Sequence, residues 1–226
     1  MLGIIFLGGA SFFLFRLLGG APQLRLRRET QVQANAAKIE ELTEYASRLR
    51  NIKKYTQAEK VYLQILKIDH KHVPTYSRLG TLYSAQRNFN DALECFEIAT
   101  QLKPSGTTFY NLGLALFENR NYIKAIAAFE KAIMFEPTLQ RYIGLAKAFK
   151  KVGDDAQMVN ALEQAIRIEA TPKVLWLLAD AYEAIGRAEE QEAVVAHIRE
   201  IAPRDERLRE MRRAARDQKS AGAPRG

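Results

Sequence analysis

The sequence predicts an all-α chain: tandem helix–turn–helix repeats stacked as a solenoid, preceded by one membrane-spanning helix. Three observations carry this expectation. The body of the chain repeats itself every 33–34 residues. Within each copy the apolar residues recur at helical spacing, and glycine and proline fall at the joints. The first twenty or so residues form an apolar run with a single interior arginine.

That run comes first in the chain. Leu2–Phe15 carries no charge, and after Arg16 the apolar character continues to Ala21. Leu2–Ala21 is about the length needed to cross a hydrocarbon core of roughly 30 Å at ~1.5 Å per residue. Arg16 lies near one end, where a long side chain reaches the headgroups. No basic segment precedes the run, and Pro22 follows the obvious small-residue cleavage point, so an uncleaved anchor is expected over residues 1–21. Arg16, Arg25, Arg27 and Arg28 all lie on its C-terminal side. Basic flanks stay in the cytoplasm, so the expected topology is N-terminus outside and the body of the chain cytoplasmic. The same arginines suit anionic headgroups, and the bilayer is therefore an expected partner of residues 2–21 and their flank.

The clearest copies of the repeat are Thr75–Pro104 and Thr108–Pro137. Aligned, they match Leu79-Gly80 with Leu112-Gly113, Phe89 with Tyr122, and Ala92 with Ala125. Phe96 then matches Phe129, Ala99 matches Ala132, and Pro104 matches Pro137. Small residues belong where two helices cross closely, large apolar ones fill the space between, and proline stops the second helix. Weaker copies flank the pair, giving five repeats at 39–72, 73–105, 106–138, 139–171 and 172–205. Met158 and Gln191 stand in the small-residue slot of the last two. This spacing resembles the tetratricopeptide repeat (TPR), and the resemblance covers about residues 39–205. It implies a right-handed superhelix that binds proteins or peptides and is not an enzyme.

Between anchor and repeats, residues 22–38 read as a basic juxtamembrane helix. The Ala, Glu and Lys content of Gln23–Asn51 favours one long helix, and Pro22 suits its first turn. After Pro203, residues 206–218 read as an amphipathic helix with Leu208 and Met211 on one face. The resemblance makes that helix a cap on the last repeat. Residues 219–226 read as a flexible tail.

Nothing in the sequence supports catalysis, a metal site or a cofactor. His70, His72 and His197 share no ligand spacing with cysteine or carboxylates, and Cys95 stands alone. No phosphate loop, nucleophile elbow or dinucleotide fingerprint occurs. The net charge of +8 permits anionic partners. An arginine-rich end (Arg204, Arg207, Arg209, Arg212, Arg213, Arg216) raises nucleic-acid binding as a reading of another class. Interleaved acids and the lack of a stacking aromatic there argue against it.

The resemblance places the binding face on the first helix of each repeat, along the concave side. Its slots are Thr43, Ser47 and Arg50, then Ser77, Arg78, Thr81 and Ser84, then Tyr110, Asn111, Leu114 and Phe117. Two further helices supply Ile143, Lys147, Lys150 and Lys151, and Lys173, Trp176, Asp180 and Glu183. Tyr110, Leu114 and Phe117 form a second apolar stripe beside the core stripe of Phe109, Leu112 and Leu116. Such a stripe is either partial core or a docking site, and Lys147, Lys150, Lys151 and Lys173 beside it suit an acidic peptide. Thr43 and Ser47 replace the lysine and asparagine with which chaperone-binding relatives hold a C-terminal carboxylate, so binding of that kind is not expected.

The leading expectation is therefore a scaffold in a bacterial inner membrane that recruits a protein or peptide on its cytoplasmic side. Its layout resembles membrane-anchored TPR regulators of lipopolysaccharide assembly, but it has no C-x-x-C pair for their metal module. Magnetosome-type and other organelle-membrane adaptors fit equally. An extracytoplasmic assembly factor is the alternative, and the sequence leaves self-association open.

Overall fold

In a computed structural model the backbone is described for residues 8–221, and side chains for residues 24–214 and Arg216. The described residues form eleven α-helices and no strand. They fall into two compact units divided between Leu82 and Tyr83.

The first unit holds α1 (Gly8–Asn51), α2 (Tyr55–Ile68) and most of α3 (Val73–Ala85). α1 begins at Gly8, so Pro22 lies inside the helix rather than in its first turn. The missing proline N–H removes one rung and leaves the ladders on either side intact. The last turns of α1 bury Ala46 and Leu49, while α2 buries Ala58, Val61, Tyr62 and Ile65. Upstream, Leu24, Leu26 and Val32 are exposed. The anchor expected over residues 1–21 lies outside the described side chains, and residues 1–7 lie outside the described backbone. Among the described residues no helix is long and apolar enough to cross a membrane.

The second unit holds α4 (Phe89–Leu102), α5 (Gly106–Glu118), α6 (Tyr122–Phe135) and α7 (Leu139–Val152). It continues with α8 (Asp155–Ile168), α9 (Pro172–Ala184), α10 (Ala188–Ile201) and α11 (Glu206–Ala221). The second helices of the hairpins, counting α2, begin at Tyr55, Phe89, Tyr122, Asp155 and Ala188, each 33 or 34 residues after the last. That is the period of the sequence. α11 runs three residues into the segment expected as tail, because Lys219, Ser220 and Ala221 contain no helix breaker. Residues 222–226 lie outside the described residues.

Packing explains the residue types. The ring of Phe129 on α6 lies in a notch made by Gly113 of α5 and Gly144 of α7. A Cβ at Gly113 would stand 2.7 Å from the ring, and one at Gly144 3.0 Å from it. Phe129 is thereby almost wholly buried, worth roughly 1.5–3 kcal/mol of transfer free energy. The same core continues through Leu145, Leu162, Leu178 and Tyr182. Ala58, Ala92 and Ala125 fill the small-residue slots with no exposed surface, and Met158 is accommodated at 4 % exposure. A satellite cluster of Leu175, Ala179, Val195, Ile198 and Leu208 ties α9, α10 and α11 together.

Local chemistry sets the helix ends. Ser105 and Thr108 form a capping box at the start of α5, and Asp154 accepts from the Gln157 N–H at 3.1 Å to open α8. The tight turn between the two helices of every hairpin contains one left-handed residue: Lys53, Arg87, Arg120, Gly153 or Gly186.

Candidate binding face

Within the second unit, α5 and α7 lie side by side, and the repeat period puts Leu114, Lys147 and Asp180 at equivalent positions on α5, α7 and α9. Along each helix the flanking slots are Tyr110 and Phe117 on α5, Lys150 on α7, and Trp176 and Glu183 on α9.

On α5 the face is apolar. Tyr110 is half-buried, with its ring centre 5.7 Å from that of Phe129. Burial pushes its phenol pKa up, against a smaller opposing pull from Arg141. Phe117 is half-buried and meets Tyr122 edge-on at 5.4 Å. Asn111 is also half-buried, and Leu114 is 40 % exposed between these anchored rings. Tyr110 and Phe117 thus act as partial core, and Leu114 is the projecting member of the stripe.

On α7 the face is basic. Lys147 and Lys150 are exposed, as is Lys173 in the first turn of α9, and among the described residues none of the three makes an ion pair. On α9 the face is occupied. The indole N–H of Trp176 donates to Asp205 at 3.2 Å, and Arg207 stacks on the ring while pairing with Asp180. Hydrogen bonding to Asp180 raises the Arg207 pKa. The acidic charge that the sequence places in the face at Asp180 is therefore already taken by α11. What remains open in this unit is an apolar ridge beside unpaired lysines, with Glu183 exposed on α9.

The other sequence-predicted residues lie in the first unit. Thr81 is exposed, and its hydroxyl donates to the Ser77 carbonyl at 2.9 Å. Arg78 is half-buried at a cleft of about 710 Å³ shared with Val32, Ile39, Thr43 and His72. His72 is engaged with Thr75 at 2.8 Å, and burial pulls its ring pKa down. Arg25, Arg27 and Arg28 are exposed on α1, Arg25 pairing with Glu29 at 3.1 Å. The Arg16 side chain lies outside the described residues.

Sequence reasoning missed Arg141, which is 6 % exposed. Its guanidinium donates to the Glu136 carbonyl, pairs with the Glu136 carboxylate at 3.0 Å, and packs where a Gly106 side chain would be. The available signal was that glycine: α5 starts with a residue lacking a side chain, so some other group fills the space.

Comparisons with known proteins agree with the helical-repeat fold. The tetratricopeptide-repeat family model matches residues 77–138. A search of curated proteins finds no match. Among solved structures, a MamA protein is 24% identical, with a TM-score of 0.64 over 73% of this chain and 92% of that one. MamA residues 41 to the end from Desulfovibrio magneticus RS-1 superpose with a TM-score of 0.65 at 13% identity, over 75% and 97% of the two chains. YrrB, described as a TPR protein with an unusual peptide-binding site, is 16% identical with a TM-score of 0.60, over 76% and 93%. At these identities the likeness is one of fold. The chain has the all-α fold of tetratricopeptide-repeat proteins, and residues 77–138 match that repeat family directly.

Proposed function

We propose that this chain is a membrane-anchored scaffold that holds a partner peptide on the α5–α7 face, on the cytoplasmic side. The observation that carries the reading is Leu114, an exposed leucine held between two anchored aromatic rings and next to the unpaired Lys147 and Lys150. An exposed apolar patch rimmed by polar residues marks an interaction site. The chemistry fits a peptide that offers an apolar side chain to Leu114 and carboxylates to the two lysines. YrrB, which shares the fold, is described as having a peptide-binding site, which agrees with the reading.

Membrane attachment rests on the apolar run Leu2–Ala21, and sidedness on the arginines that follow it. Two experiments test the proposal. A photo-crosslinker at position 114 of the full chain should capture a partner peptide, and Lys147→Glu/Lys150→Glu should abolish that capture with little change in stability, since both lysines are exposed. Reporter fusions after Gly226 should be active only in the cytoplasm. Activity of an extracytoplasmic reporter would instead move the scaffold to the other side of the membrane.

A further inference from the structure

The turns of the hairpins hold an unexpected set of residues. Lys53, Arg87 and Arg120 adopt φ values of 59°, 61° and 60° at the position where the two later hairpins use Gly153 and Gly186. Glycine takes this conformation without steric cost, and asparagine and aspartate tolerate it, but arginine and lysine have no such compensation. A basic residue stands at every one of the three non-glycine turns. Backbone strain kept at a repeated position points to a use for the side chain.

In the second unit two of these residues border one open cleft of about 720 Å³. Arg87 and Arg120 stand on successive turns, Lys151 adds a third cation, and Phe89, Phe117 and Tyr122 form the apolar lining. One carboxylate, Glu118, also borders it. Among the described residues none of the three cations is in an ion pair. The turns that carry the arginines are pinned. The N–H of Arg87 donates to the Ser84 carbonyl at 3.0 Å, and that of Arg120 to the Phe117 carbonyl at 3.0 Å. The stems of both guanidinium groups therefore start from fixed points, which lowers the ordering cost of a bound anion.

We infer that this turn-side cleft is a second docking site, separate from Leu114, for an acidic peptide segment. Carboxylates pair with the forked guanidinium groups of Arg87 and Arg120, and a neighbouring apolar side chain lies against Phe117 and Tyr122. A nucleic acid fits less well. Three cations neutralise few phosphates, and the Phe117 and Tyr122 rings are half-buried and packed edge to face instead of presenting open stacking platforms.

The test uses the full chain and a fluorescein-labelled peptide of Asp and Glu with one central Phe, followed by anisotropy. Binding should weaken as salt is raised, and the double variant Arg87→Gly/Arg120→Gly should weaken it about tenfold or more. Its Tm should not fall, because glycine is the residue that the later turns already use. In a Leu114→Glu background, which disables the α5–α7 face, the peptide binding that remains should still weaken by the same factor when both arginines are replaced, which separates the cleft from that face. Absence of peptide binding, or equal binding by the double variant, overturns the proposal. So does binding of anionic vesicles or an RNA oligonucleotide through these arginines when the peptide does not bind.

Discussion

The guanidinium of Arg207 lies over the indole of Trp176, 4.3 Å from its central carbon to the ring centre, while its terminal nitrogens pair with Asp180. Asp205 completes the latch. It accepts from the Trp176 N–H and from the backbone N–H groups of Arg207 and Leu208, at 3.2, 3.0 and 3.3 Å, so it caps α11 and holds α9 at once. Leu208 beneath it is 2 % exposed. Arg207→Ala should cost about 1–2 kcal/mol, the sum of a cation–π contact and a half-exposed forked ion pair. Trp176 is the one tryptophan of the chain, so the change is directly visible. Its emission should shift to the red, and urea unfolding followed by fluorescence should move to lower denaturant. An unchanged spectrum would mean that the latch does not close in solution.

Gly113 and Gly153 should respond to alanine for different reasons. A methyl at Gly113 would meet Phe129 at 2.7 Å, inside a core with no room to yield. Gly113→Ala should therefore cost about 1–3 kcal/mol by overpacking. At Gly153 nothing lies within 4 Å, but φ is +79°, so Gly153→Ala pays only for backbone strain, about 1 kcal/mol. Filling space around Phe129 separates the two. In a Phe129→Leu background the Gly113→Ala penalty should shrink, and the Gly153→Ala penalty should stay, as measured by denaturant midpoints.

These contrasts show which features were legible in the sequence. The helical-repeat fold was, because the small residues Gly80, Ala92 and Ala99 and the stops Pro104 and Pro137 recur with the period of the helices themselves. Each of those positions is dictated by its own hairpin, so one copy predicts the next. The candidate face was legible only in part. Leu114 could be singled out as the odd member of its slot, but a helical stripe alone does not tell partial core from docking surface. That distinction needs Phe129, which sits on a different helix and holds Tyr110 in place. Asp180 and Trp176 read as open slots because their partners, Arg207 and Asp205, are supplied by α11, outside the repeat period. Arg141 was missed because its site is a gap at Gly106 in the preceding hairpin, signalled only by the side chain that Gly106 lacks.

Tyr182 gives the fold a dependence on alkaline pH. Its hydroxyl donates to Glu163 at 2.7 Å, and burial, that hydrogen bond and the Glu163 charge push its pKa up to about 12. The unfolded value is near 10. Between these two values the unfolded chain has released the proton and the folded chain still holds it. Stability from this group is thus complete below pH 10 and is lost as pH rises toward 12. Tyr182→Phe should cost about 1 kcal/mol at neutral pH through the lost hydrogen bond and should flatten the alkaline decline. A set of urea midpoints from pH 8 to 11 checks this, and a decline of equal slope in the variant would assign the effect to other groups.

Gly106 and Arg141 should be coupled strongly enough to reverse the sign of a substitution. A methyl at Gly106 would stand 2.7 Å from three guanidinium atoms of Arg141. The guanidinium is held there by the Glu136 carbonyl and carboxylate, so it can retreat only by breaking those contacts. Gly106→Ala should therefore destabilise the protein by about 1–2 kcal/mol. Arg141→Ala alone should cost about 2–3 kcal/mol, since it empties a packed site and removes a charge-assisted hydrogen bond. In the Arg141→Ala background the clash is gone and only the better helix propensity of alanine remains. Gly106→Ala should then become neutral or stabilising by about 0.5 kcal/mol. A double-mutant cycle reads the difference as a coupling energy of about 1–2.5 kcal/mol. Additive substitutions would mean that the guanidinium leaves Gly106 without cost, and the buried arginine would then contribute through its aliphatic stem alone.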